Sequence, residues 1–142
     1  MSLFIVDASV AVQWFLPERH SEAADRLRSK EYRLFAPSLL FLEISNVLLK
    51  HVRRKEISHA TAGRIRTAIA HSPILVYSDK ILLDPAYALA GQTGCGLYDA
   101  LYLALAVNLK GQMVTADQRL YNGLASGPHS KHILWVEDLP KP

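Results

Sequence analysis

Four acidic side chains stand where acids are expensive to keep. Asp7 directly follows the apolar run "LFIV", Glu43 lies within "LLFLEISNVLL", Asp99 opens "LYDALYLALA", and Asp117 follows "QMVTA". The chain carries 13 Asp and Glu in all. No Lys or Arg lies close in sequence to Asp7, Glu43 or Asp99. A carboxylate in apolar surroundings either finds a partner or has its pKa driven upward. One economical solution is a divalent cation shared by all four. An all-oxygen donor set without His or Cys selects a hard ion, Mg²⁺ or Mn²⁺, over zinc. Such an ion activates water and stabilises charge on a leaving oxygen, which suits phosphodiester hydrolysis.

Helix capping is the simpler account of three of these residues, because Asp is a favoured N-cap. It stays open for Asp99 and Asp117, both of which precede or open a helical pattern. For Asp7 it fits less well, since Ser9 is the better-placed cap. Glu43 sits well inside its helix, so capping does not explain it. Asn46, at i+3, shares its helix face.

These acids need a frame that gathers them. "LFIV" (3 to 6) reads as a short buried strand and "SVAVQWFL" as a helix stopped by Pro17. A charged helix is expected from Ser21 to Lys30, then a strand in "YRLFA". Pro37 and Ser38 stand where the long helix "LLFLEISNVLLKHVRRK" would start. A helix capped by Ser58 runs to Ala70, "ILVY" (74 to 77) is a strand, and the next helix ends near Gly91. "GQTGCG" reads as a loop before the Asp99 helix, which is apolar all round and belongs in a core. Strand "QMVTA", helix "QRLYNGLA", a Gly-Pro loop and strand "HILWV" complete the chain. Strands alternating with helices predict an α/β fold, a parallel sheet between helix layers. "LFIV" and "ILVY" are continuous rather than alternating, the pattern of strands buried on both faces. Asp7 and Asp117 then fall where strands end and helices begin, the ligand edge of such sheets.

Composition narrows the alternatives. A length of 142 residues fits one domain spanning 1–142. Half the residues are apolar and 20% are charged, as in globular proteins. Cys95 is alone, so no internal disulfide can form, and thioredoxin-like and zinc-ribbon readings fall away. The N-terminal stretch lacks a basic start and is interrupted by Asp7, unlike a secretion signal. No segment approaches the roughly 20 apolar residues that span a bilayer. The expectation is a soluble, cytoplasmic protein with no membrane partner. The formal net charge of +3 leans towards an anionic partner such as nucleic acid.

"FIVDASVAVQWFLPE", "APSLLFLEISNVLLK", "GLYDALYLALA" and "MVTADQRL" resemble, in order and spacing, the four signature blocks of PIN-domain ribonucleases. The likeness is greatest to VapC-like toxins of VapBC toxin–antitoxin pairs, and it spans nearly the whole chain. The resemblance implies a three-layer α/β/α fold and Mg²⁺- or Mn²⁺-dependent endonuclease activity on RNA. It makes Asp7, Glu43, Asp99 and Asp117 the acidic quartet. Asp7 and Asp99 would be the principal metal ligands, with Asp117 close by and Glu43 acting through water. Ser9 and Thr115 match small hydroxyl positions that support the acids. No acidic position departs from the pattern. Metal-activated water would attack the phosphorus, with no side-chain nucleophile. The resemblance further implies a homodimer and a cognate antitoxin that blocks the site. Between Lys50 and Gly94, where such toxins differ most, it says little about substrate.

"KHVRRK" places Lys50, Arg53, Arg54 and Lys55 at the end of the long helix, where cations favour the dipole. The functional alternative is a phosphate-contacting patch, aided by Arg64 and Arg66. "PHSKH" brings His129 and His132 together in what reads as a polar loop, not a zinc site. Trp14 and Trp135 read as core or edge packing. Tyr98 and Tyr102, one turn apart, could flank the site or a dimer contact. Two other functions fit less well. A non-catalytic PIN-fold binding module would not need an intact quartet. An aspartyl phosphotransferase of the dehalogenase type wants a second Asp where this chain has Ser9.

Overall fold

The computed structural model describes residues 2–141. Its five strands are β1 (Ser2–Val6), β2 (Tyr32–Pro37), β3 (Ile74–Tyr77), β4 (Gln112–Thr115) and β5 (Ile133–Trp135). They form one sheet in the order β3-β2-β1-β4-β5, and every neighbouring pair is parallel. Ile5 of β1 lies level with Phe35 of β2 on one side and Met113 of β4 on the other. Phe4, Ile5 and Val6 are buried in succession, as are Leu34, Phe35 and Ala36. Consecutive buried residues point to opposite faces of a strand, so helices cover the sheet on both sides. The expected three-layer α/β/α architecture is present.

The helices are α1 (Ala8–Ala11), α2 (Ser21–Arg26), α3 (Leu39–Arg53), α4 (His59–Ala70), α5 (Asp79–Thr93), α6 (Leu97–Leu109) and α7 (Gln118–Ala125). Helix α6 is the centre of the core. Ala100, Leu101, Tyr102, Leu103, Ala104, Leu105 and Ala106 are all buried, which is why it has no polar face. Among the described residues, no helix is long and apolar enough to cross a membrane.

Several boundaries differ from the sequence reading. The run after Asp7 is a one-turn helix followed by a 3₁₀ turn over Val12–Trp14, so it never reaches Pro17. Helix α2 stops at Arg26 instead of Lys30. Helix α5 runs through Gly91 to Thr93 and ends on Gly94 at φ +79°, a left-handed conformation that glycine adopts without strain. "ILVY" is not buried on both faces. It forms the sheet edge, where Leu75 is 54% exposed and Val76 43%. An apolar run fits an edge strand as well as a central one, and only sheet order separates them.

Strand β1 is the switch point of the topology. The chain leaves β1 towards β2 on one side and leaves β4 towards β5 on the other. Adjacent strands whose connections part in this way open a crevice at their C-terminal ends. Asp7 and Asp117 stand at that crevice. At the opposite, N-terminal end of the strands, Gly111 just before β4 permits close packing: a Cβ would lie 2.6 Å from Leu3 Cδ1.

Leu103 is fully buried in α6, so Leu103→Ala is expected to lower the unfolding free energy by about 2–5 kcal/mol. Urea denaturation of the two proteins measures it; a loss below about 1 kcal/mol would mean the surroundings collapse onto the gap.

Candidate functional site

Asp7 is 5% exposed, at the junction of β1 and α1. It has the backbone of an N-cap but makes no side-chain cap bond. Its Oδ2 instead accepts two hydroxyls, from Ser9 Oγ at 2.7 Å and Thr115 Oγ1 at 2.8 Å. Both hydroxyls are oriented by the backbone. Ser9 Oγ accepts from the Ala116 N–H at 3.0 Å, and Thr115 Oγ1 accepts from the Asp117 N–H at 3.1 Å. An oxygen that accepts one of these N–H groups turns its own hydrogen towards the carboxylate. Ser9, expected as the better cap, is inside α1 and serves Asp7 instead.

Asp99 lies in the first turn of α6, whose N-cap is Gly96. It is therefore not a cap, and only the dipole of the helix end favours its charge. Asp117 is the N-cap of α7: its Oδ1 accepts from the Leu120 N–H at 3.1 Å. Capping and a place on the cavity wall coexist in this one residue.

Glu43 projects from α3 and accepts a 2.7 Å hydrogen bond from the Tyr102 hydroxyl. Tyr102 is wholly buried, whereas Tyr98, one turn earlier, is 62% exposed. The role of Tyr102 escaped the sequence reading. Its spacing of i+3 from Asp99 was the available signal, but nothing in one sequence says which helix faces it. Asp79 was also missed. Its Oδ1 accepts from the Leu39 N–H at 2.9 Å, and its own N–H donates to Ser38 Oγ at 3.2 Å. The start of α3 is thus held by the start of α5 rather than by Ser38's own side chain.

All four acids line one cavity of about 500 Å³, together with Ser9, Asn46, Lys50 and Tyr98. Burial is the main cause that raises the pKa of Asp7, against the two hydroxyls, which lower it. Burial also raises that of Glu43, opposed by the Tyr102 bond and aided by the charges of Asp7 and Asp79. Asp99 is pushed up to about 6, first by burial and then by Asp7, Glu43 and Asp117. Burial and the nearby acids hold the Tyr102 phenol protonated. Among the described residues, the salt bridges are His20–Glu137, Arg28–Asp25 and His51–Glu56, so none neutralises the quartet. Nor is any group of three or more His, Cys, Asp or Glu already gathered into a metal cluster. The acids share an open cavity, not a closed cage. Its four acids offer only oxygen, repel one another and, among the described residues, form no ion pair, a set that fits a hard divalent ion.

The family model for the PIN domain matches residues 4–123. The chain is 34% identical over 118 residues to Ribonuclease VapC3 of Pyrobaculum aerophilum, covering 82% of this chain and 90% of that protein. The chain belongs to the PIN-domain family. Among solved structures, this PIN domain resembles PAE2754 of Pyrobaculum aerophilum with a TM-score of 0.71 and 26% identity, over 96% of this chain and 85% of that one. It shares its fold with a chain of a toxin–antitoxin complex from Klebsiella pneumoniae, at a TM-score of 0.63 and 16% identity, over 98% and 100% of the two chains.

The PIN domain divides the basic residues. Lys50 lines the acidic cavity, one turn beyond Asn46, while Arg53, Arg54 and Lys55 are exposed away from it. Arg64 bonds to Thr61 and Arg66 to Ser45. His132 Nδ1 is 2.9 Å from the Gly111 carbonyl. Trp14 donates to the Ala24 carbonyl, and Trp135 packs against His20 and Tyr121.

Because the folded pKa of Asp99 is about 6 against 3.8 for the free group, its contribution to stability is fully present below pH 3.8. It is lost as pH rises through 6, since the folded state holds the proton longer. Metal-free Asp99→Asn should therefore be more stable than wild type at pH 7. A gain on the order of 1 kcal/mol is expected, allowing for solvent screening, and it should shrink towards pH 4. Thermal unfolding in EDTA across that range checks it; a difference independent of pH would assign the effect elsewhere.

Proposed function

We propose that this PIN domain is a metal-dependent endoribonuclease, the toxin of a toxin–antitoxin pair, with residues 1–142 acting as one nuclease domain in the cytoplasm. The observation that carries the reading is the shared cavity: Asp7, Glu43, Asp99 and Asp117 line it, and among the described residues none of them is in an ion pair. The 34% identity to a ribonuclease supports the reaction class.

Asp7, Asp99 and Asp117, with Glu43, would hold Mg²⁺ or Mn²⁺. When bound, the cation supplies acidified water and charge stabilisation for phosphodiester cleavage. The chain's own residues do the positioning. Ser9 and Thr115 fix the Asp7 carboxylate and favour its charged form, against the burial that raises its pKa. Tyr102 holds Glu43 through a donor that does not itself ionise, so Glu43 can accept a proton from water at a fixed position. Lys50 and Asn46, on the face of α3 that carries Glu43, meet the phosphate of the incoming strand. Arg53, Arg54 and Lys55 extend that positive surface beyond the cavity.

The homodimer and the antitoxin are part of the same proposal. Leu42 and Leu49 on α3 and Ile81 and Tyr87 on α5 are exposed apolar side chains, material for a protein interface. Light scattering at micromolar concentration should return twice the 15.8 kDa chain mass; a monomer would remove the dimer from the reading.

The deciding experiment is cleavage of total RNA by wild type and Asp99→Asn, with Mg²⁺ or Mn²⁺ and with EDTA. Wild type should cut only with metal, and a folded Asp99→Asn should lose at least about 100-fold in rate. Equal cutting by both proteins, or cutting in EDTA, would overturn the metal-site assignment.

A further inference from the structure

A second cleft opens on the other side of Asp99 and Asp117. It has a volume of about 420 Å³, and Cys95, Gly96, Arg119 and Gly123 form part of its wall. Asp99 and Asp117 line both this cleft and the cavity that holds Glu43 and Lys50. Asp99 and Asp117 are thus the wall that the two spaces have in common. The hydrolysis proposed above uses only one of these spaces.

Two residues on α7 are locally poor choices, and both face this second cleft. Arg119 stands in the first turn of α7, where the positive end of the helix dipole disfavours a cation. It is exposed and belongs to none of the ion pairs among the described residues. Gly123 is inside the same helix, at a cost of roughly 0.5–1 kcal/mol relative to Ala. No packing constraint demands a glycine, because a Cβ there would meet nothing within 4 Å. The helical Gly63 and Gly91 are equally uncrowded; Gly123 differs in lining a cleft that two of the four acids also line. Choices that weaken an element locally are expected where a ligand is served.

We propose that this cleft holds the nucleotide adjoining the scissile phosphate of an unpaired RNA strand. Arg119 binds the phosphate of that nucleotide, and the space between Gly96 and Gly123 admits its base. The inference rests on the ribonuclease reading and adds the direction of the substrate. The strand passes from Lys50, across the carboxylates, to Arg119. A polyanion crossing a row of acids needs cations on both sides of them, and Lys50 and Arg119 are so placed. A volume of a few hundred Å³ is that of a small-molecule site. A base enters such a space only when freed from pairing, as in the recognition of RNA loops and single strands.

The test begins by mapping where wild type cuts RNA and making a single-stranded oligonucleotide of that sequence. Arg119→Ala, Arg119→Lys and Gly123→Leu are compared with wild type and with Lys131→Ala, a matched loss of charge outside both clefts. Thermal unfolding checks that each variant is folded. Arg119→Ala should raise KM about tenfold, the worth of one charged hydrogen bond, and lower the salt slope of binding by about one. Arg119→Lys should recover part of the loss. Gly123→Leu, which adds bulk at a cleft wall where a Cβ meets nothing within 4 Å, should change the base preferred on one side of the cut. If wild type cuts but Arg119→Ala and Gly123→Leu keep its KM and its cleavage pattern, the cleft assignment is overturned and the ribonuclease reading stands. If wild type cuts no RNA under any metal, that reading falls and this one falls with it.

Discussion

Like charges in a shared cavity are the constraint on which this structure turns. Four carboxylates line one space, and burial raises the pKa of Asp7, Glu43 and Asp99. Mutual repulsion adds to each. The fold offsets this with partial charges rather than with cations. Asp7, Asp99 and Asp117 each stand at the start of a helix, where unsatisfied N–H groups favour a negative charge. Two hydroxyls on Asp7 and one on Glu43 supply further donors. A lysine or arginine inserted among the acids would stabilise the apoprotein better. It would also occupy the position that a divalent ion is suited to fill.

The core and the site meet in α6. The helix is buried through seven consecutive residues, so its orientation is fixed by packing on all sides. Asp99 emerges at its first turn, and Tyr102 carries a hydroxyl from the core to Glu43 on α3. Packing that holds α6 therefore also sets the separation of two acids from different parts of the chain. Rigid support of this kind is what positioning for phosphoryl chemistry requires. The parallel sheet adds the other half: β1 and β4 are neighbours, and their connections part at Asp7 and Asp117.

Outside the cavity the charges follow a different logic. Arg53, Arg54 and Lys55 end α3 where the dipole favours them, and their placement needs no ligand. Lys50, itself exposed and in no ion pair among the described residues, lines the wall of the acidic cavity from the same helix. Arg119 has no such local excuse. The net charge of +3 says nothing of this arrangement, because one total is compatible with many distributions.

The sequence by itself determined the α/β class and the buried α6, and it singled out four acids that the fold brings to one cavity, because each is written in local pattern: strand and helix periodicity, and carboxylates set in apolar runs. The Ser58 and Asp117 caps were legible for the same reason. Tertiary structure decided what depends on partners distant in the chain. Tyr102 meets Glu43 across 59 positions, and Thr115 reaches Asp7 across 108. Sheet order alone made β3 an exposed edge, and position along α3 separated Lys50, at the cavity, from Arg53 one turn beyond it. Periodicity tells a residue which face of its own element it occupies; only the packed fold tells it what that face meets.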